Sequence, residues 1–480
     1  MVSSDRRKWL ALALLCAVQF MVVLDVAIVN VALPSIQVDL GFSQQNLQWV
    51  ISAYALVFGG FLLLGGRTAD LLGRRRIFFG GTILFTLGSL LCGLAWSDES
   101  LIGARAIQGL GAAAITPAAL AILVTTFSEG RERNIALGAW GAVGGFGAAA
   151  GVLFGGILTD LLSWEWIFFV NIPVGLAGLV LTPLLLSESV DRRGQGFDAL
   201  GAVLVTAGLS TLVLGVTQGR DWGWSSATTI GVFAAAAALL VAFVVWESRV
   251  KDPLMPFSIF RLRTLTASNV AGFTLGTALF AMFLMLTLYM QQVLGYSPIE
   301  TGFAYLAVAG TAVVWANVAA VAVNRVGVKP ALIFGMTLLT IGLVYFTQVS
   351  VGGSYWTDLF PGFLIIGLAI PFAFVPISIA AFAGTRQDEA GLASGLMNTS
   401  QQIGGAVGIA ILSTVAVTTT NDASAATPAA VALTDGFQAA FWAGAAIAFA
   451  GVLVSVFLVR GRDLQQQEAA VVVEPVFEAA

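Results

Sequence analysis

The stretch MVVLDVAIVNVALP, residues 21–34, sets an aspartate, Asp25, in the middle of an apolar run that extends from Trp9 to about Leu33. A run of about 25 residues, rising 1.5 Å each in a helix, is long enough to cross a ~30 Å hydrocarbon core. A carboxylate at that depth persists only where it faces a cavity or a partner rather than lipid. Arg6, Arg7 and Lys8 precede the run as they would in a secretory leader. The run is too long for one, no small-residue cleavage site is clear, and further spans follow, so it reads as a retained first membrane helix.

Composition extends this to the whole chain. With 58% hydrophobic and 10% charged residues over 480 positions, and a mean hydropathy of +0.93, there is too little polar surface to coat a soluble globule. The expected class is all-α and polytopic. Its two cysteines, Cys16 and Cys92, both fall inside expected spans, which leaves no disulfide framework and no thiolate metal site. With no histidine anywhere, a proton carrier within the membrane must be a carboxylate, or less plausibly a tyrosine or a water chain.

Fourteen stretches of helical length follow one another, with cores near 9–33, 47–65, 77–96, 101–126, 135–159, 166–187, 199–217, 228–248, 266–293, 299–323, 331–349, 358–382, 393–418 and 437–459. Alternate linkers hold nearly all the bases: Arg67 and Arg74 to Arg76, Arg131 and Arg133, Arg192 and Arg193, Arg249 to Arg263, Arg325 and Lys329, Arg386, and Arg460 with Arg462. The intervening linkers carry acids such as Asp39, Asp98, Glu99, Asp160, Glu165, Glu300, Asp358, Asp422 and Asp435, with Arg220 as the exception. Because basic linkers stay on the cytoplasmic side, both termini are expected in the cytoplasm of a plasma-membrane protein, and an even number of spans agrees.

Residues compared at a spacing of 254 show a weak internal repeat. GGRTADLLGRRR, residues 65–76, lies over AAVAVNRVGVKP, residues 319–330, pairing Gly66 with Ala320, Asp70 with Asn324, Gly73 with Gly327 and Arg75 with Lys329. Helices 1 to 6 and 9 to 14 therefore read as parallel halves with two helices inserted between them. The implied divisions are residues 1–190, 191–262 with its basic linker, 263–460, and a disordered tail over 461–480. Leu279 stands opposite Asp25, so the ionic chemistry is confined to the first half.

The segments MVVLDVAIVNVALPSI, LQWVISAYAL, GGRTADLLGRRRIFFGG, LIGARAIQGLGAAAITPA, SWEWIFFVNIPVG and GLASGLMNTSQQIGGAVGIA together resemble the fourteen-span drug:proton antiporters of the major facilitator superfamily, over nearly the whole chain. The resemblance implies two six-helix bundles plus two inserted helices, alternating access around a central cavity, and expulsion of amphiphilic compounds against proton entry. Asp25, followed by Asn30 and Pro34, resembles the acid of the family's first-span motif. Gly66, Arg67, Asp70, Gly73, Arg74 and Arg75 resemble its cytoplasmic-loop motif, which implies a charge latch between the halves that breaks during transport. GAVGGFGAAAGVLFGG, residues 141–156, resembles the antiporter motif of helix 5 through Gly147, Gly151, Gly155 and Gly156, although Val152 stands where proline is usual and Glu165 where SWEW usually has arginine.

Each feature also admits a plainer reading from the residues themselves. Asp25 suits a structural acid in an internal hydrogen-bond network as well as a proton or cation site. Arg105, the one base well inside a span, can pair with Asp25 directly or through water, with Gln108 one turn further in. The glycines of helix 5 suit close packing, and the basic loop suits a topology signal. Pro117, Pro371 and Pro376 free backbone groups that need a cavity or a neighbour. Asn30, Gln48, Tyr54, Gln108, Asn317, Asn398, Gln401 and Gln402 are candidates for a substrate cavity, or for interhelical glue.

None of Lys8, Lys251 and Lys329, the only lysines, follows a glycine in a phosphate-cradling loop, which removes an ATP-driven pump. One charge crossing 100 mV yields ~2.3 kcal/mol, and at ~1.4 kcal/mol per decade that sustains about a 50-fold gradient. The expectation is a non-enzymatic, proton-coupled exporter of small amphiphilic, often cationic molecules. It needs no cofactor, catalytic residue or metal, and its partners are protons, substrate and bilayer rather than nucleic acid or an obligate protein. Alternatives are a dedicated exporter of one metabolite, an uptake carrier, a lipid flippase, or a channel, although pore-lining charged rings are lacking.

Overall fold

A computed structural model describes residues 4–42, 47, 49–128, 130–189, 198–251, 253–383, 385, 389–423 and 427–459. Among these residues there is no strand, as expected where every backbone polar group inside a bilayer must find its partner within its own segment. The first half contains α1 (Ser4–Leu40), α2 (Trp49–Leu72), α3 (Arg74–Gly93), α4 (Asp98–Thr126), α5 (Arg131–Leu161) and α6, the last in two pieces, Trp166–Phe169 and Asn171–Leu185. Next come α7 (Ala199–Trp222) and α8 (Ala227–Glu247), then α9 (Arg263–Gln292), α10 (Pro298–Val326) and α11 (Val328–Phe346). The last three are α12 (Phe360–Phe382), preceded by a π turn at Tyr355–Leu359, α13 (Ala390–Asn421) and α14 (Ala429–Phe457).

Thirteen of these helices are long and apolar enough to cross a membrane judged on the described residues, and α5, at 31 residues, has the length to be another. The all-α architecture of two six-helix bundles with an inserted pair is therefore present. Helix α1 continues to Leu40, past the expected end at Leu33. Two chain reversals use glycines that an ordinary side chain would strain: Gly73 (φ 111°) between α2 and α3, and Gly327 (φ 88°) between α10 and α11. These two glycines pair in the sequence repeat.

Helix pairings repeat in the same way. In the first half α1 packs on α5 and α6, α2 on α4, and α3 on α4 and α6. Eight helices later, α9 packs on α13 and α14, α10 on α12, and α11 on α12 and α14. The seam between halves is made chiefly by α5 against α10 and α2 against α13, and exchanging the two halves exchanges these two contacts. Helix α7 lies on α2 and also touches α13, while α8 packs chiefly on α7. The tail over 461–480 and the linker segments around Arg192, Arg193, Arg386 and Arg460, together with Gln48, lie outside the described residues.

Candidate functional site

Asp25 is fully buried, in a hydrogen-bonded cluster drawn from five helices. Its Oδ2 accepts from Arg105 Nη1 of α4 at 2.6 Å, and its Oδ1 accepts from Gln108 Nε2 at 2.6 Å and from Asn171 Nδ2 of α6 at 2.9 Å. Arg105 also donates Nη1 to Gln108 Oε1 at 2.5 Å and Nε to the Val50 carbonyl of α2 at 2.9 Å. Ser89 of α3 closes the set, its Oγ lying 2.8 Å from Gln108 Nε2 and 3.3 Å from Asn171 Nδ2. The Tyr54 ring lies 4.3 Å from the guanidinium carbon of Arg105, a cation–π contact. Its hydroxyl is buried without a partner among the described residues.

Position along the helices explains the cluster. Arg105 and Gln108 are three residues apart on α4 and so point the same way. Arg105 lies seven residues into a helix that starts at Asp98, about 10 Å below that end at 1.5 Å per residue. Bringing a carboxylate and a guanidinium out of water costs several kcal/mol per ion, repaid only when charges meet and remaining donors and acceptors are filled. That condition is nearly met here, Tyr54 being the unfilled group.

Helix α1 is seated from the other side by the glycines of α5. A Cβ on Gly147 would fall 2.8 Å from Val23 Cγ1, on Gly151 2.6 Å from Ala27 Cβ and 2.9 Å from the Leu24 carbonyl, and on Gly155 2.9 Å from the Ile28 carbonyl. The four-residue spacing puts these three on one face, so α1 lies against backbone where it carries Asp25. Gly156 faces α10, 2.7 Å from Ile299 Cγ1 by the same measure. The side chain of Val152 lies outside the described residues, and Glu165 is half-buried at the turn before α6.

At the opposite end of α2, Asp70 bonds across the seam. It accepts from Arg74 Nη2 at 2.7 Å and Nε at 3.0 Å, and from the backbone N–H groups of Gly391 and Leu392, both at 2.9 Å, in the first turn of α13. A carboxylate at a helix N-terminus meets unsatisfied donors and the positive end of the dipole. Gly66 and Gly391 make the approach close enough, since a Cβ on Gly66 would stand 2.2 Å from the Gly391 carbonyl. The repeat supplies a counterpart: Asn324, paired with Asp70 in the sequence, accepts from Asn134 Nδ2 of α5 at 2.5 Å. The loop therefore meets α13 through the backbone amides that Asp70 accepts, beside the ion pair of Asp70 with Arg74. Arg75 and Arg76 approach Glu188, each 3.7 Å from its Oε2, and Arg67 donates to the Pro253 carbonyl at 3.4 Å. Gly73 has no room for a side chain, because Glu188 Oε1 would lie 2.7 Å from its Cβ.

The expected cavity residues divide. Tyr54 and Gln108 belong to the sealed cluster and line no open space, Gln108 being spent on Asp25 and Ser89. Asn30 is exposed and turns its amide onto its own helix, donating to the Val26 carbonyl at 3.1 Å. Asn317 is exposed, and Asn398 donates to the Ser394 carbonyl one turn back at 2.9 Å. Gln401 packs on Gly272 and Gly276 of α9 and keeps a buried Nε2 without a partner among the described residues. Asn171 and Ser89 were not singled out in the sequence. Asn171 did sit inside the SWEWIFFVNIPVG segment, which was the available signal.

Comparison with known proteins agrees with this architecture. The profile of the Major Facilitator Superfamily matches residues 15–409. The chain is 41% identical over 414 residues to the puromycin resistance protein of Streptomyces alboniger, covering 86% of this chain and 82% of that one. It is 40% identical over 410 residues to the cephamycin export protein of Amycolatopsis lactamdurans, covering 84% of each. It is 35% identical over 396 residues to the multidrug resistance protein Stp of Mycobacterium tuberculosis, covering 82% of this chain and 73% of that protein. The structure superposes on the human organic anion transporter MFSD10 with a TM-score of 0.65 at 14% identity, covering 95% of this chain and all of that one, a likeness of fold.

Proposed function

The chain belongs to the Major Facilitator Superfamily, and from that premise we propose a proton-coupled secondary exporter of lipophilic or cationic drugs and antibiotics, with Asp25 as the titrating group. Transport rather than catalysis follows from the family. The relatives' printed roles in puromycin resistance, cephamycin export and multidrug resistance support the substrate class. The single observation that carries the coupling is a fully buried carboxylate holding three side-chain donors from two other helices.

A proton on Asp25 cancels its charge and turns one acceptor oxygen into a donor. Arg105 then loses its counter-charge, and the bonds that pull α4 and α6 onto α1 weaken together. Helix α1 rests on the glycine face of α5, and α5 forms the seam with α10, so a shift of α1 reaches the surface on which the halves rock. The carboxyl is sealed in this state. Proton exchange accordingly requires a different arrangement of α1 and α4, which ties titration to conformation.

Placing the basic linkers in the cytoplasm makes this a state closed toward the cytoplasm, held by Asp70 on α13 and by Asn134 with Asn324. Substrate enters when those bonds are broken, with Asp25 ionised. After rocking outward, a parting of α1 from α4 lets a proton reach Asp25 and helps expel the substrate, and the protonated carrier returns to release its proton inside. Everted vesicles test this reading: wild-type protein should accumulate a cationic dye on imposing a proton gradient, and Asp25→Asn should not. Undiminished, gradient-dependent accumulation by Asp25→Asn removes Asp25 from the mechanism.

A narrower reading, export of one self-made compound, is favoured by relatives named for single antibiotics. A panel of structurally unrelated dyes and antibiotics separates the two, since a dedicated exporter protects against one chemical class.

A further inference from the structure

A cavity of about 360 Å³ lies where α7 and α8 meet the segment after α8, lined by Leu204, Ala242, Val245, Trp246, Arg249 and Val250. This falls within the ~300–1,000 Å³ usual for small-molecule sites, yet it shares no residue with the Asp25 cluster and has no part in the transport cycle above. It faces the bilayer: α8 packs chiefly on α7, and Val241, Val244 and Val245 beside it are 61%, 49% and 42% exposed. Its walls are apolar. Arg249 at its mouth is exposed, and its guanidinium has no hydrogen bond or ion pair among the described residues.

Two acids behind the cavity do not neutralise that charge. Asp198 accepts from Trp246 Nε1, 3.0 Å from each oxygen, and from the Gly201 amide at 2.9 Å. Glu247 accepts the backbone N–H groups of Leu254 and Met255, both at 3.2 Å. The Trp246 indole is thereby pinned by its nitrogen, which fixes the ring as a wall of the cavity. An apolar slot open to acyl chains, a tryptophan at its rim and a free guanidinium at the basic end of the helix complement one class of molecule, an anionic phospholipid.

We propose that this cleft binds an anionic phospholipid of the leaflet on the basic face, its acyl chain against Leu204, Ala242, Val245 and Trp246 and its phosphate on Arg249. Assigning that leaflet to the cytoplasmic side rests on the orientation proposed above; the binding does not. The site has a route to the seam. Glu247 fastens residues 254 and 255, and the adjacent Pro253 carbonyl takes the bond from Arg67 of α2, so lipid in the cleft borders a segment joined to the helix that carries Asp70.

Native mass spectrometry of the purified full chain, titrated with equimolar phosphatidylglycerol and phosphatidylcholine, tests it. Wild type should retain phosphatidylglycerol in preference. Arg249→Ala should lower that preference about fivefold, the worth of one basic residue near an anionic lipid, and Arg249→Lys should keep most of it. Ala242→Trp, which fills the cavity, should lose the bound lipid while eluting as wild type on size exclusion. Equal retention of both lipids by wild type, or an unchanged preference in Arg249→Ala, overturns the assignment, as does competition by soluble glycerophosphate at lipid-like concentrations. Asp25→Asn leaves this measurement untouched, so the lipid site and the coupling mechanism fail separately.

Discussion

The two halves share their helix pairings but not their chemistry. Where the first half gathers Asp25, Arg105, Gln108, Asn171 and Ser89 around one charge pair, the second has Leu279 opposite Asp25 and a core of rings in tilted and edge-on contact. Phe363 sits 5.3 Å from Tyr305 and 5.7 Å from Phe346, which is 5.7 Å from Phe441, centroid to centroid. The Tyr305 hydroxyl is satisfied by the Phe283 carbonyl at 2.8 Å. The difference teaches that a duplicated scaffold keeps its helix pairings while only one copy carries a buried charge pair at this position.

The largest expected break in that contrast comes from Asp25→Asn, which keeps the shape and removes the charge. Gradient-driven efflux should fall to background, and what transport remains should lose its pH dependence. Next is Arg105→Ala, which leaves a buried carboxylate unpaired, at a cost of about 3–5 kcal/mol. It should lower the melting temperature of purified protein sharply, and Asp25→Asn in the same chain should restore part of the loss. If the double variant is as unstable as the sum of the two single ones, the pair is not coupled.

Smaller but more specific is Gly151→Leu, whose side chain cannot fit beside Ala27 and the Leu24 carbonyl. Transport should be lost while Gly144→Leu, at a position where a Cβ meets nothing within 4 Å, is tolerated. Asp70→Asn removes the charge from the α13 terminus and from buried Arg74, an effect of about 1–3 kcal/mol. Faster amide hydrogen exchange over residues 391–395 would register a loosened seam; unchanged exchange would mean that Asp70 does not hold it. The least effect on function is expected from Phe363→Leu in the aromatic half. It should cost about 1–3 kcal/mol of stability and leave the pH profile of efflux where it was, and a shifted profile would erase the division of labour between the halves.

Much of this was legible in the chain. Run lengths gave the spans, and the Asp70–Asn324 pairing in the repeat became two seam contacts, one to backbone amides of α13 and one to Asn134 of α5. Asp25, Arg105 and Gln108 stood out because charges and amides are costly in apolar segments. Asn171 and Ser89 did not, since amides and hydroxyls recur in membrane helices and only folding brings α3 and α6 to α1. The partner of Asp70 was hidden for a different reason: it is a pair of backbone amides, which no side-chain pattern can announce. Tyr54 and Gln108 were read as cavity residues because polarity alone cannot separate a group facing water from one spent on an internal ion pair.

The most direct test of coupling through Asp25 is to count protons. In weakly buffered detergent solution at a pH where the carboxyl is partly protonated, a saturating cationic substrate should displace protons from wild-type protein, read with a pH indicator, and should displace none from Asp25→Asn that still binds the compound. Equal proton release from both proteins would contradict it.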